Sequence, residues 1–339
     1  MFHIIKMIEG ENIYEVIASY LEKHDYLNVF RCCELKFAQC GTTFLKNGYN
    51  EAYVHAVNIN NQYLLKLYFP RVTNYNFRDS HGNMAVMYAA RNMETGIMER
   101  LLKRGSKINS CNNNGDSVLM FGVDSCNMEI VRFILGFPKV DVNSKNSAGC
   151  NAVMLASHYG KNGIIRILLR HGANINTCAK QGDTALMIAV NGGHASTVKL
   201  LIKNKARLND RNGKYTMKKL LKKRRKRMSR DKFKKLMNEL DYIEGGNTAL
   251  MVACDKGNYK IAKILIDAGA DIHLINDFNG NALRLAYMGN HYRIVELLLN
   301  HGANTDKLKK ETVTAAEYDM RKSSQNLPAV SSRNYRWSS

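Results

Sequence analysis

The sequence lacks most of the features that announce an activity. It has no run of about 18 apolar residues and no long apolar core near its start, so neither a membrane span nor export is expected. Its eight cysteines, at positions 32, 33, 40, 111, 126, 150, 178 and 254, form no CxxC pair and no zinc-ligand spacing. They read as free thiols of a reducing compartment, which places the protein inside the cell, in nucleus or cytoplasm. No GxxxxGK, GxSxG or HExxH motif occurs, so no catalytic residue, metal or cofactor is expected and the chain is not read as an enzyme. Acids are scarce, with 29 Asp and Glu against 50 Lys and Arg and a formal net charge of +21.

What the chain does have is repetition. Gly246-Asn-Thr-Ala-Leu-Met opens a short apolar stretch, Gly257 breaks it, and a second apolar face from Ile261 to Ile266 closes at Gly269, a residue suited to the left-handed helix end. The same opening recurs at Gly82, Gly115, Gly149 and Gly182, and in relaxed form at Asn279. Steps between the openings are 33 or 34 residues, except from Gly182 to Gly246. The closing segments match as well, LLRHGANIN at 168–176, LIDAGADIH at 265–273 and LLNHGANTD at 298–306. Two short antiparallel helices cannot bury both apolar faces alone, so each unit needs neighbours. Thr184, Thr248 and Ser117 stand where a side chain caps the first helix, and Ala89, Ala156, Ala189, Ala253 and Ala286 stand where helices must approach closely.

This pattern resembles the ankyrin repeat, with Thr-Ala-Leu-Met in place of the family's Thr-Pro-Leu-His. The resemblance implies an all-α solenoid of stacked helix pairs, spanning about 46–320 in roughly eight units and a half-unit at Thr312 to Met320, with a flexible tail at 321–339. Within it, 46–78 is a worn unit whose second helix should end at Pro70. Residues 210–242 fill one slot with atypical sequence, since Gly213 to Gly246 is again 33 residues. Family members bind proteins on their concave surface, beside the turn and just after the first helix. Carried over by position, the contact residues are Ser80, His81, Asn83, Arg91 and Asn92, then Asn113, Asn114, Asp116, Asp124 and Ser125. His158, Tyr159, Gln181, Asp183, Asn191, Asp255 and Lys256 complete the row, all taken as exposed. His171, His194 and His301 fall at the family's structural positions. A monomer that binds an unidentified protein target is the expectation.

Residues 1–45 lie outside the clear repeats. The stretch 13–37 resembles an F-box, the helical motif that docks on the adaptor of cullin–RING ubiquitin ligases, through Val16, Ile17, Ser19, Tyr20, Leu21, Asp25, Leu27, Val29 and Cys33. The family's Leu-Pro opening is missing, and an irregular helical cap shielding the first repeat is the alternative. As an F-box it would make the chain a substrate receptor; as a cap it would leave a scaffold or sequestering protein.

Positive charge concentrates in one place. Between Lys214 and Lys235 stand thirteen basic residues and one acid, Asp231, which is 12 of the 21 net charges. Lys222, Lys223, Arg224, Arg225, Lys226 and Arg227 resemble a monopartite import signal for importin. The alternatives are a solvated helix, or contact with nucleic acid or an anionic membrane. Phosphate contacts alone would read no base sequence, so specific nucleic-acid recognition is not expected.

Overall fold

A computed structural model of the chain describes residues 42–213 and 245–305, with side chains from residue 48 onward. The F-box-like stretch, the basic run 222–227, the half-unit at 312–320 and the tail lie outside the described residues. The chain divides into two units, Met1–Ser147 and Ala148–Ser339. Fourteen helices arranged as seven pairs, and no strand, make up the described residues.

The first unit holds three pairs: α1 (Thr42–Asn58) with α2 (Gln62–Tyr68), α3 (Ala85–Arg91) with α4 (Thr95–Lys103), and α5 (Val118–Asp124) with α6 (Met128–Leu135). Helix α1 packs on α3, and α3 on α5. The worn first pair keeps its place with different means. Asn61 caps α2, Pro70 sits in a 3-10 turn over Phe69–Arg71 that ends it, and α1 starts at Thr42, ahead of the expected boundary at 46. Its missing glycines are offset by aromatic packing: Phe69 lies 5.8 Å from Tyr53 and 5.7 Å from Tyr75, under the guanidiniums of Arg100 and Arg104.

The second unit holds α7 (Ala152–His158) with α8 (Asn162–Arg170), α9 (Ala185–Asn191) with α10 (Ala195–Lys203), α11 (Ala249–Asp255) with α12 (Tyr259–Asp267), and α13 (Ala282–Met288) with α14 (Tyr292–Asn300). Side-chain oxygens start the inner helices. Thr184 accepts from Met187 N and Thr248 from Met251 N, while Asn151 and Asn281 do the same for α7 and α13. Outer helices are amphipathic: α8 buries Ile164, Ile165, Ile167 and Leu168 and exposes Arg166 and Arg170. Ala156, Ala189, Ala253 and Ala286 are fully buried, so the inner helices approach without a side chain between them.

The unit expected at 210–242 lies almost wholly outside the described residues; on either side of it α9 packs directly on α11 and α10 on α12. After α2, α4, α8 and α10 an asparagine takes a backbone N–H of the next repeat. Asn176 takes Arg207 N across 31 positions, whereas Asn209 takes Asp271 N at 3.0 Å across 62. The chain leaves one turn at Gly213 and rejoins it at Gly245. Asn212 N donates to Asn247 O at 2.9 Å, Asn247 N to Asn212 Oδ1 at 2.9 Å, and Gly246 N to Asn212 O at 2.7 Å. These are the bonds of the uninterrupted turn Asn276–Gly280: Asn276 N to Gly280 O, Gly280 N to Asn276 Oδ1, and Asn279 N to Asn276 O. Gly213 and Gly245 thus stand together in one turn, on either side of residues 214–244 in the sequence.

Candidate partner-binding face

The turns project beside the inner helices and are bonded tip to tip within each unit. In the first, Asn113 N donates to His81 O at 3.0 Å and Ser147 N to Asn114 O at 2.7 Å. In the second, Lys180 N donates to Ala148 O, Gly213 N to Gln181 O, and Asp277 N to Gly245 O. A second ladder runs through side chains. Asn112 Nδ2 donates to Asn83 Oδ1 and Asn146 Nδ2 to Asp116 Oδ1, both at 2.9 Å. Asn212 Nδ2 donates to Asp183 Oδ1 at 3.0 Å, and Asn276 Nδ2 to Asn247 Oδ1 at 2.9 Å. The backbone at the tips is thus fixed, and a ligand meets a preorganised row of side chains.

That ladder removes several residues from the expected contact set. Asn83, taken as exposed, is 8 % exposed and also donates to the Tyr88 hydroxyl at 2.8 Å. Tyr88 in turn donates to Asp79 Oδ2 at 2.7 Å, and burial followed by that bond raises its pKa. Asp116 and Asp183 are half-buried ladder acceptors. Asn92 donates to the carbonyls of Val57 and Asn58 at 2.7 and 2.9 Å, and Ser125 to Gly122 O at 2.7 Å, so both hold helix ends. These five polar groups serve the stack.

The others are exposed. In the first unit they are Ser80, His81, Arg91, Asn113, Asn114 and Asp124; in the second, His158, Tyr159, Gln181, Asn191, Asp255 and Lys256. Arg91 is positioned by Asn58 Oδ1 at 2.8 Å and lies 5.1 Å over the Tyr88 ring. Sequence reasoning missed two residues. Phe278 holds the tip position equivalent to Gln181 and is 43 % exposed, and Met288 holds the helix-end position equivalent to Asp255 and is 68 % exposed. Counting the 33-residue register into the last repeat would have found both. The histidines of the Gly-His turns stay structural: the His194 ring donates to His158 O at 2.9 Å and the His291 ring to Asp255 O at 3.0 Å. His171 and His301 close α8 and α14 through Ile167 O and Leu297 O. Among the described residues no group of three His, Cys, Asp or Glu is placed to hold a metal, and no helix is long and apolar enough to cross a membrane.

The family model for ankyrin repeats matches three times, over residues 53–146, 125–212 and 211–309. The chain belongs to the ankyrin-repeat family. Ankyrin repeats are protein–protein interaction modules, generally without enzymatic activity. The chain is 25 % identical over 249 residues to "Putative ankyrin repeat protein L371" of Acanthamoeba polyphaga mimivirus, covering 72 % of this chain and 28 % of that one. It is 37 % identical over 79 residues to "DNA replication inhibitor plutonium" of Drosophila melanogaster, covering 23 % of this chain and 44 % of that one. The chain thus spans less than half the length of either relative.

Proposed function

We propose that the protein is a recognition subunit whose exposed turn tips and inner-helix ends select a partner protein, while residues 13–37 recruit the adaptor of a cullin–RING ubiquitin ligase. The observation that carries the recognition half is the exposure of Phe278, on a turn locked by backbone bonds, and of Met288, at the helix end one repeat on from Asp255. An exposed aromatic and a flexible thioether on a rigid polar row are the kind of anchors that dominate binding energy. The F-box resemblance of Leu21 and Leu27 supports the recruiting half.

A second reading, a scaffold imported into the nucleus, draws on the basic run. Lys222 to Arg227 lie in sequence between Gly213 and Gly245, whose neighbours Asn212, Gly246 and Asn247 are bonded to one another in a single turn. One set of tagged variants separates these readings. The wild type should capture the cullin adaptor and accumulate in nuclei. Leu21→Asp with Leu27→Asp should lose the adaptor alone, Phe278→Asp with Met288→Asp the partner alone, and alanine at 222–227 nuclear accumulation alone. Absence of adaptor from the wild-type capture overturns the receptor reading, and identical distribution of the 222–227 variant overturns import.

A further inference from the structure

The outer helices of the two units differ in charge. In the first unit Lys103 is paired with Glu99 at 2.7 Å, and α6 carries Glu129 beside Arg132. In the second, α8 (NGIIRILLR) and α10 (ASTVKLLIK) contain no acid at all. Arg166, Arg170, Lys199 and Lys203 are exposed, and none has a hydrogen-bond or ion-pair partner among the described residues. Arg166 and Lys199 hold equivalent positions on neighbouring helices, as do Arg170 and Lys203, so the four form a two-by-two array. Its edges are about 6 Å along each helix and about 8 to 10 Å between helices. Because α10 packs directly on α12, that helix is the next neighbour and adds Lys260 and Lys263, with Asp267 and, on α14, Glu296 marking the acidic edge.

Like charges four apart on a helix, and again side by side across two helices, repel, and nothing in the described residues relieves them. The face also lacks an apolar anchor. The exposed large apolar residues of this unit, Tyr159, Ile275, Phe278 and Met288, all lie off α8, α10 and α12. A protein interface would need such an anchor at its centre, and membrane adsorption would need apolar side chains level with the cations. The one aromatic of these helices, Tyr259 at the start of α12, is covered by the Arg293 guanidinium 4.9 Å over its ring. A rigid array of cations with no free aromatic for stacking matches a dense, regular line of phosphates, and a duplex carries one charge per about 1.7 Å of its axis. We propose that the outward face of α8, α10 and α12 binds the phosphate backbone of a nucleic-acid duplex without reading its sequence. This surface is separate from the turn-tip face, so it stands or falls independently of the partner-protein reading.

The test titrates the full chain onto a labelled mixed-sequence DNA duplex of about 20 base pairs, between about 50 and 200 mM salt. Arg166→Gln, Arg170→Gln, Lys199→Gln and Lys203→Gln together should weaken binding about tenfold or more. They should also lower the slope of log affinity against log salt by about 3 to 4, since each neutralised phosphate contributes about 0.9. A control that removes equal charge from the first unit, Lys103→Gln, Lys107→Gln, Arg132→Gln and Lys145→Gln, should change either far less. Duplex should also shield Lys199, Lys203 and Lys263 from acetylation in the wild type, read by mass spectrometry. Equal weakening in both quadruple variants, an unchanged slope, or no shielding overturns the proposal. So does binding to phosphatidylserine vesicles or polyglutamate in preference to the duplex.

Discussion

The turn Asn276–Gly280 and the turn from Asn212 to Asn247 make the same three hydrogen bonds, yet one closes across 4 positions and the other across 35. Each also passes its asparagine Nδ2 to the previous repeat, Asn276 to Asn247 and Asn212 to Asp183. The turn is therefore defined by its two ends and by the tips above and below. An exposed tip is where added chain disturbs least, since no buried backbone group has to change partner. What holds the repeats together is the packing of inner and outer helices, α9 on α11 and α10 on α12.

The largest expected break of this equivalence is at Gly213. Its φ is +108°, and a Cβ there would lie 2.6 Å from Gly245 Cα, because the departing and returning chains cross in contact. Gly213→Val should cost about 2 kcal/mol in the full chain, from left-handed strain and the clash together. The equivalent position in uninterrupted turns holds an ordinary side chain, Lys180 or Asn113. The same substitution should therefore cost less once 214–244 are removed, as thermal or urea unfolding of the two backgrounds would show. A cost that is equal in both would mean the crossing at Gly213 is not what residues 214–244 impose.

A smaller effect sharpens the comparison at the outer edge. Asn209→Ala removes the bond to Asp271 N that spans 62 positions, and Asn176→Ala removes its counterpart to Arg207 N that spans 31. If the two junctions are alike, each change should cost about 1 kcal/mol, or about 2 to 4 °C in melting temperature. A negligible effect for Asn209 alone, in parallel melts, would show that the second junction is looser than the first.

Most of the helix pairs were legible because burial alternates with a period that the apolar residues display openly, as in Ile261, Ala262, Leu265 and Ile266. The interruption was not, because its length nearly equals one repeat and it begins at a glycine that mimics a repeat opening. The distance from Gly182 to Gly246 is 64, short of two periods of 33, and that deficit was the available signal. Candidate contact residues were legible by position and illegible by burial. Asn83 and Arg91 look equally polar in sequence, but Asn83 is enclosed by Asn112 from the following repeat while Arg91 stays exposed beside Asn58. Such a partner lies a full repeat away, and only the fold brings it near.

The smallest expected effect is the most direct test of the central claim, that α9 and α11 belong to successive repeats joined through one turn, Asn212 to Asn247. Excision that joins Gly213 to Gly245 regenerates a turn of ordinary length, Asn212-Gly213-Gly245-Gly246-Asn247. Closing a longer loop costs about 0.6 kcal/mol for each doubling of its length, so the excised chain should melt at or slightly above the temperature of the full chain. The same sample reports on the packing of α11 through Cys254, whose thiol is buried with a raised pKa, while Cys178 is exposed. Cys254 should remain protected from alkylation after excision, with Cys178 labelled readily in both forms. A lowered melting temperature together with rapid labelling of Cys254 would contradict the account, because it would mean that 214–244 contribute a packed layer between α9 and α11.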